Sequence, residues 1–391
     1  MRSLRGNDQR VVRALNRNAI FNTLHQEGPL SRVQLKVRSG LSGAAITGVV
    51  AELIRDGLVE EREGGLSTGG RPPVLLSVNY GGRSAVGIKL MERCLEAVLT
   101  NLGGEVQRHI QVQLRDRAPE TVVQAVQQAV ETLDAGPLIG VGMGLPGVVN
   151  AAQGICVHSD YLGWQDVPIA RMLEEALGVP VTVDNDVNAF AAAERLFGHG
   201  KGIDDLIIVT VGRGIGAGLI ANGQVLHGRD GGAGEFGHVV VEKDGRLCEC
   251  GKRGCLEAYA SENALVARIR ELAPELSVSG PDDLLTHLDD PRVAALLADA
   301  GERVGMQLAN LINVLNPALI VIGGEGTRFG EALLGPLRMA LRAHGYASLA
   351  TDLPVVVEPW GDDAWARGAA SLAVSHAFDL NLEEASCTSA D

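Results

Sequence analysis

The sequence predicts a two-lobed α/β body behind a small winged helix-turn-helix head, and three observations support that expectation. Apolar runs of strand length alternate with helical stretches from residue 84 onward, the pattern of an α/β fold. Several of those runs lead straight into glycine-rich turns. The first eighty residues instead hold three short helical patterns punctuated by glycine, and they are basic where the remainder is acidic. With 391 residues, 46% apolar and 21% charged, the chain can fill the cores of two or three domains. No run approaches the ~18 apolar residues of a membrane span. The first twenty residues carry five arginines without an apolar segment behind them. They do not read as a secretory signal, and a cytoplasmic protein is expected.

Charge separates the head from the body. Residues 1–80 hold 11 Lys and Arg against 7 Asp and Glu, a balance of +4, so the net −14 of the chain leaves −18 on residues 81–391. A basic end on an acidic body points to an anionic partner for that end, nucleic acid first.

The head elements follow in order. Residues 11–25 place Val12, Leu15, Ala19 and Leu24 in a loose helical pattern that Gly28 and Pro29 end. Ser31 and Gln34 have capping-box spacing, which opens a second helix that closes near Gly40. Ser42 can cap a third helix with Ile46, Val49, Val50, Leu53 and Ile54 on one face and Gly57 as its stop. Leu58-Val59, a polar tip over 60–70 and an extended run over 74–78 then read as a two-stranded wing. A plain three-helix packing module is the alternative, but the basic charge favours DNA.

In such a unit the third helix enters the major groove and the first positions the protein on phosphates. The outward face here is Ser42, Gly43, Ala44, Thr47, Gly48 and Ala51, which are too small for most bidentate base contacts. Arg71, on the segment Thr68-Gly-Gly-Arg-Pro-Pro73, offers a second source of specificity. An arginine on an extended glycine-proline segment can enter a narrow A·T-rich minor groove, although the same segment also suits a stiff interdomain linker.

In the body, strands are expected over 84–88, 95–100, 138–143, 179–183, 206–211 and 318–322. Glycine loops stand at 142–147, 212–218 and 323–326. Loops after strand ends are where α/β proteins bind ligands, and three of them in two halves suggest two related lobes. No G-x-G-x-x-G opens a helix with an acidic residue about twenty positions on, which disfavours a Rossmann dehydrogenase.

His238, Cys248, Cys250 and Cys255 form H-x9-C-x-C-x4-C. Three thiolates and an imidazole close a tetrahedral Zn²⁺ shell and leave no position for a catalytic water, so a structural zinc is expected. Redox-active cysteines are the competing reading, while Cys94, Cys156 and Cys387 look incidental. Asp184-Asn-Asp-Val-Asn188 ends a strand and opens an alanine-rich helix. Its amide and carboxylates can bind several sugar hydroxyls, and Asp186 can deprotonate one. The same residues also suit a simple N-cap cluster. Glu235, His238 and Glu257 supply further groups of this kind.

Together Glu235-Phe-Gly-His238, Cys248-x-Cys250-Gly-x-x-Gly-Cys255-Leu-Glu257 and Leu315-Asn-Pro-Ala-Leu-Ile-Val-Ile-Gly-Gly324 resemble the signature regions of the ROK family, bacterial sugar kinases and sugar-responsive repressors. The resemblance implies an actin-like, hexokinase-like body of the ribonuclease H-like kind. Arg13-x-x-Asn16, Ser31-Arg32 and Gly69-Gly70-Arg71-Pro72 resemble the repressor branch, xylose repressors included. It implies sugar contacts at Asn185, Asp186, Glu235, His238 and Glu257, with Gly144, Pro146 and Gly147 alongside. It also implies zinc on the four residues named from spacing and DNA contacts from Arg13, Ser31, Arg32, Ser42, Gly43, Ala44, Thr47 and Arg71. The expected domains are 1–80 for DNA, 81–186 completed by 364–391 for the first lobe, and 187–363 for the second lobe with the zinc loop.

Two departures from the family pattern bear on function. Where kinases carry an Asp-x-Gly-Gly-Thr phosphate loop, this chain reads Lys89-Leu-Met-Glu-Arg93, which lacks the glycines and adds an acid. Tyr161 stands where kinases have Asn, so the sugar is left open. The expected protein is a homodimeric or dimer-of-dimers repressor that a monosaccharide releases from operator DNA. A kinase with a DNA-binding head, told apart by ATP turnover, and a ligand-activated activator are the alternatives.

Overall fold

The structure is a computed structural model that describes residues 5–64, 73–91, 93–358 and 364–379. Helix α1 (Arg5–Glu27) is longer than the predicted stretch and turns a different face inward. Ile20, Phe21 and Leu24 are buried, whereas Val12, Leu15 and Ala19 are exposed. Among the described side chains of α1 the buried ones sit in its C-terminal half, so burial does not follow the pattern read from Val12. Strand β1 (Leu30–Ser31) leads into α2 (Arg32–Ser39). The capping box forms as expected, with the Ser31 amide donating to Gln34 Oε1 at 2.8 Å and the Gln34 amide to Ser31 Oγ at 3.3 Å.

Ser42 caps α3 (Gly43–Arg55) by accepting from the Ala45 amide at 3.2 Å. Helices α2 and α3 meet at a bend of 115°, inside the range of helix-turn-helix units. The wing strands β2 (Val59–Glu63) and β3 (Val74–Val78) pair from Val59↔Val78 to Glu63↔Val74. The wing differs from the two-stranded expectation because β1 adds to β3, and because β2 runs on to Glu63. Polar side chains on a solvated strand face do not interrupt a ladder, so the tip starts later than composition suggested.

The body begins with the meander β4 (Ser84–Leu90), β5 (Cys94–Asn101) and β6 (Val106–Gln113), then α4 (Pro119–Leu133) and β7 (Leu138–Leu145). A small sheet of β8 (Val148–Asn150), β9 (Ile155–Ser159) and β10 (Trp164–Val167) precedes α5 (Ile169–Leu177) and β11 (Val181–Asn185). The chain continues through α6 (Asp186–Phe197), β12 (Leu206–Val211), β13 (Ile215–Ala221) and β14 (Gln224–Val225). After the cysteine loop come α7 (Glu257–Ala260), α8 (Glu262–Leu272), α9 (Pro281–Leu285) and α10 (Pro291–Leu315). Strand β15 (Leu319–Gly323), α11 (Glu331–His344), β16 (Val355–Val357) and α12 (Ala364–Asp379) complete it.

The chain forms two compact units, one of Met1–Met143, Ala170–Thr182 and Ala369–Asp391, the other of Gly144–Ile169 and Val183–Gly368. Its two five-stranded sheets have one topology. The orders β6-β5-β4-β7-β11 and β14-β13-β12-β15-β16 both place the strands third, second, first, fourth and fifth. In the second unit β12 alternates strictly: Ile207, Val209 and Val211 join a core with α8, α10 and α11, while Leu206 and Ile208 pack with Phe190 and Ala191 of α6. Both faces of the sheet are covered, which is why this strand reads as a continuous apolar run.

The glycine segment 212–218, expected to be a loop, is a tight turn followed by strand. Gly216 and Gly218 lie in β13, where a Cβ would come 2.7 Å from Val187 and 2.6 Å from Ala191 of α6. Their glycines serve helix-on-sheet packing as much as any ligand.

Candidate functional site

The residues singled out in the sequence converge inside the second unit, starting at the junction of β11 and α6. Asn185 caps α6, its Oδ1 accepting from the Val187 amide at 2.8 Å and the Asn188 amide at 3.3 Å. Its Nδ2 donates to the Gly147 carbonyl at 3.0 Å, so the cap also fastens the loop after β7. Gly147 holds φ 104° with the His158 carbonyl 2.3 Å from where a Cβ would stand, and only glycine fits. Gly144 lies against the Asp186 backbone, and Pro146 is half-buried between them in sequence. The N-cap reading of 184–188 holds for Asn185, and Asp186 is the first residue of α6 beside it.

Glu235, the 3₁₀ turn Phe236–His238 and Glu257 complete the group. Burial pushes the Glu235 carboxyl above its usual range, His238 opposes the rise, and the carboxylates of Asp186 and Glu257 add to it. The Glu235 carboxyl thus lies within electrostatic reach of His238, Asp186 and Glu257. Glu257 accepts the Ile215 amide on Oε2 at 3.0 Å and holds Oε1 4.0 Å from Cys248 Sγ. His238 faces two ways, with Nδ1 3.7 Å from Cys248 Sγ and Nε2 3.8 Å from Glu235 Oε2.

The cysteine loop is tied by bridges Val240↔Cys255 and Leu247↔Arg253. Tyr259 anchors it from below, accepting the Arg246 amide at 2.7 Å while Arg303 lies 4.3 Å over its ring. The ligand atoms of His238, Cys248, Cys250 and Cys255 all fall within 4.8 Å of one another. For Zn–S of about 2.3 Å and Zn–N of about 2.0 Å, a tetrahedron has edges of about 3.8 Å between sulfurs and about 3.5 Å between sulfur and nitrogen. Cys250 and Cys255 stand 3.8 Å apart, and Cys248 and His238 3.7 Å. The four residues fit a tetrahedral cation. Burial pushes the Cys248 thiol up to about 12, so the thiolate form needs a cation to sustain it.

The residues expected to contact DNA are on the head. Ser42, Gly43, Ala44 and Thr47 are exposed on α3, and Ser31 caps α2. Arg13 pairs with Glu52, Arg32 with Glu61 at 2.7 Å and Arg17 with Asp56 at 2.7 Å. The Arg32–Glu61 pair is exposed on both sides and of a kind worth about 0–1 kcal/mol, whereas Glu52, Arg17 and Asp56 are partly buried. Arg71 lies outside the described residues, as does Cys387, while Cys156 is buried in β9.

Where kinases of the resembled family carry their phosphate loop, β4 and β5 join in a short hairpin. Leu90 pairs with Leu95, and the Met91 amide donates to the Cys94 carbonyl at 2.9 Å. Tyr161, the other departure, has the Arg213 guanidinium 4.6 Å over its ring. Sequence reasoning missed that pairing and also His227, whose Nε2 lies 2.7 Å from Asp184 Oδ2. Neither has a spacing signal, since their partners are 52 and 43 residues away. A further group, Glu194, His199 and Glu358, is held by a 3.0 Å contact between His199 Nε2 and Glu358.

Comparison with known proteins covers nearly the whole chain. Residues 85–376 match the ROK family. The xylose repressor of Bacillus subtilis (strain 168) is 29% identical over 379 residues, 95% of this chain and 98% of that one. The DNA-binding transcriptional dual regulator NagC of Escherichia coli (strain K12) is 31% identical over 361 residues, 88% and 89% of the two chains. Among solved structures, a ROK family transcriptional regulator described as a homolog of the E. coli MLC protein superposes with a TM-score of 0.84 at 28% identity, covering 94% of this chain and 97% of its own. A ROK family glucokinase from Streptomyces griseus, in complex with glucose and AMPPNP, matches 74% of this chain and 98% of its own with a TM-score of 0.66 at 29% identity.

Proposed function

This chain belongs to the ROK family, and from that premise we propose that it is a sugar-responsive transcriptional repressor. The observation that carries the reading is the extent of the match. Repressor relatives align over head and body together, 95% of the chain for the Bacillus subtilis xylose repressor, whereas the kinase structure aligns over 74%. The head supplies a winged helix-turn-helix and the body a cluster of amide, carboxylate and imidazole groups suited to sugar hydroxyls.

In this reading residues 1–80 bind operator DNA, with α3 in the major groove and Arg13 and Arg32 exchanging their acidic partners for phosphates. Residues 81–186 with 364–391, and 187–363, form the two lobes that respond to sugar. Asn185, Asp186, Glu235, His238 and Glu257 bind the monosaccharide, with Gly144, Pro146 and Gly147 as the adjoining backbone. Zinc held by His238, Cys248, Cys250 and Cys255 acts structurally, fixing residues 235–257 so that Glu235 and Glu257 keep their aim. His238 serves both the metal, through Nδ1, and the sugar side, through Nε2. The short hairpin at 90–95 offers no glycine cradle for a triphosphate, which supports binding without phosphoryl transfer. Two-fold pairing of heads suits a near-palindromic operator, so a homodimer or dimer of dimers is proposed.

Release of DNA requires that sugar bind the DNA-incompetent state more tightly than the DNA-competent one. The test is fluorescence anisotropy on DNA from upstream of the gene, with ATP turnover measured in parallel. Release by one monosaccharide without turnover supports a repressor. Phosphorylation of any aldose overturns the non-kinase reading, and sugar-tightened DNA binding overturns the inducible one.

A further inference from the structure

We propose that His227 is a positioning residue for the sugar groups: it clamps loop 226–234 onto Asp184, and the clamp holds when the ring is protonated. The inference rests on the reading of Asn185, Asp186 and Glu235 as sugar-binding groups. Asp184 is 3% exposed, and both of its carboxylate oxygens are engaged. Oδ1 accepts from the Asn185 amide at 2.7 Å and from Asn188 Nδ2 at 3.0 Å, while Oδ2 faces His227 Nε2 at 2.7 Å. A ring held 2.7 Å from a buried carboxylate binds it most strongly as imidazolium, because charge then adds to the hydrogen bond.

The loop beyond His227 is laid on the two other segments that meet at the site. The Ala233 amide donates to the His227 carbonyl at 3.1 Å, and the Ala217 amide of β13 to the Gly234 carbonyl at 3.0 Å. Gly231 adopts φ 85°, with the Val149 carbonyl of β8 only 1.9 Å from where a Cβ would stand. Val149 is two residues past Gly147, and Gly234 is followed by Glu235. One contact, His227 to Asp184, therefore ties the start of α6, the loop after β7 and the segment carrying Glu235.

Asp184 on β11 is the charged group set against the ring. Strands β8, β13 and β14 contribute no ionisable side chain, α6 adds Asp186 two residues from Asp184, and Arg229 and Asp230 in the loop pair with each other at 2.8 Å. The hydrogen bond to Asp184 outweighs burial and raises the ring above its ordinary 6.5. A histidine raised on folding stabilises fully below its unfolded value and loses that contribution as pH rises through the folded one. The clamp is thus complete below about pH 6.5 and weakens above the raised value.

The experiment compares the full-length, metal-loaded protein with His227→Gln by calorimetric titration of xylose, glucose and N-acetylglucosamine between about pH 6 and 8.5, with thermal unfolding at each pH. The wild-type affinity for the sugar that binds should fall about fivefold or more across the range, with the variant weaker at pH 6 and flat. The difference in Tm between the two proteins should be widest at pH 6 and narrow towards 8.5. Parallel affinity profiles, or a Tm difference that does not change with pH, overturn the clamp. A wild type that binds none of the sugars overturns the sugar reading instead, while the Tm comparison still decides whether His227 holds the loop by its charge.

Discussion

Glu257 is held from two sides. Its Oε2 takes the Ile215 amide, its Oε1 stands beside Cys248, and Glu235 and Asp186 share its surroundings. Glu257→Ala is expected to abolish the sugar response, since it removes a charged acceptor worth about 1.5–3 kcal/mol together with the partner of the Ile215 amide, while leaving sugar-free DNA affinity within about twofold because no DNA contact is proposed for it. Calorimetry and anisotropy on one preparation check both halves. Cys250→Ser should remove one equivalent of zinc by elemental analysis and weaken sugar binding about 10- to 100-fold, with a smaller effect on DNA. Arg71→Ala should weaken binding to operators with A·T-rich flanks more than to G·C-rich ones, and equal affinity for both contradicts minor-groove insertion. At this scale the clustering of His238, Cys248, Cys250 and Cys255 is legible because H-x9-C-x-C-x4-C is a local pattern. His227 and Asp184 were not, because a contact spanning 43 residues leaves no periodicity to read.

Strands and caps follow from composition wherever one face or both are buried. Residues 206–211 were assigned to their final bounds because β12 is covered on both sides, and Ser31, Ser42 and Gly40 marked helix ends by their own chemistry. Legibility failed where partners decide. Among the described side chains of α1 the buried ones are Ile20, Phe21 and Leu24, in its C-terminal half, and two glycines of 212–218 are seats for α6 in β13. Gly142 in β7 is of the same kind, with the Ala369 carbonyl of α12 1.8 Å from its missing Cβ. Gly142→Ala should therefore cost about 1–3 kcal/mol by overpacking, read as a lower midpoint in denaturant unfolding. An unchanged midpoint contradicts the close approach of strand and helix. Ser42→Ala removes the cap of α3, and about 1 kcal/mol of helix stability with it, which should appear as weaker operator binding with sugar affinity unaltered.

The molecule as a whole separates charge by task. A head at +4 on a body at −18 keeps DNA contact at the head, so log affinity for the operator should fall linearly with log salt while sugar affinity barely responds. The duplicated order third, second, first, fourth, fifth in both sheets was foreshadowed by glycine turns in two halves, although composition could not show which strands pair. The most direct measurement of the central claim is anisotropy of the protein on its upstream DNA at one fixed salt concentration, with and without each of a panel of pentoses and hexoses. One monosaccharide should weaken binding at least tenfold, about 1.4 kcal/mol of coupling. DNA affinity that no sugar lowers, in protein shown by calorimetry to be sugar-bound, would contradict it.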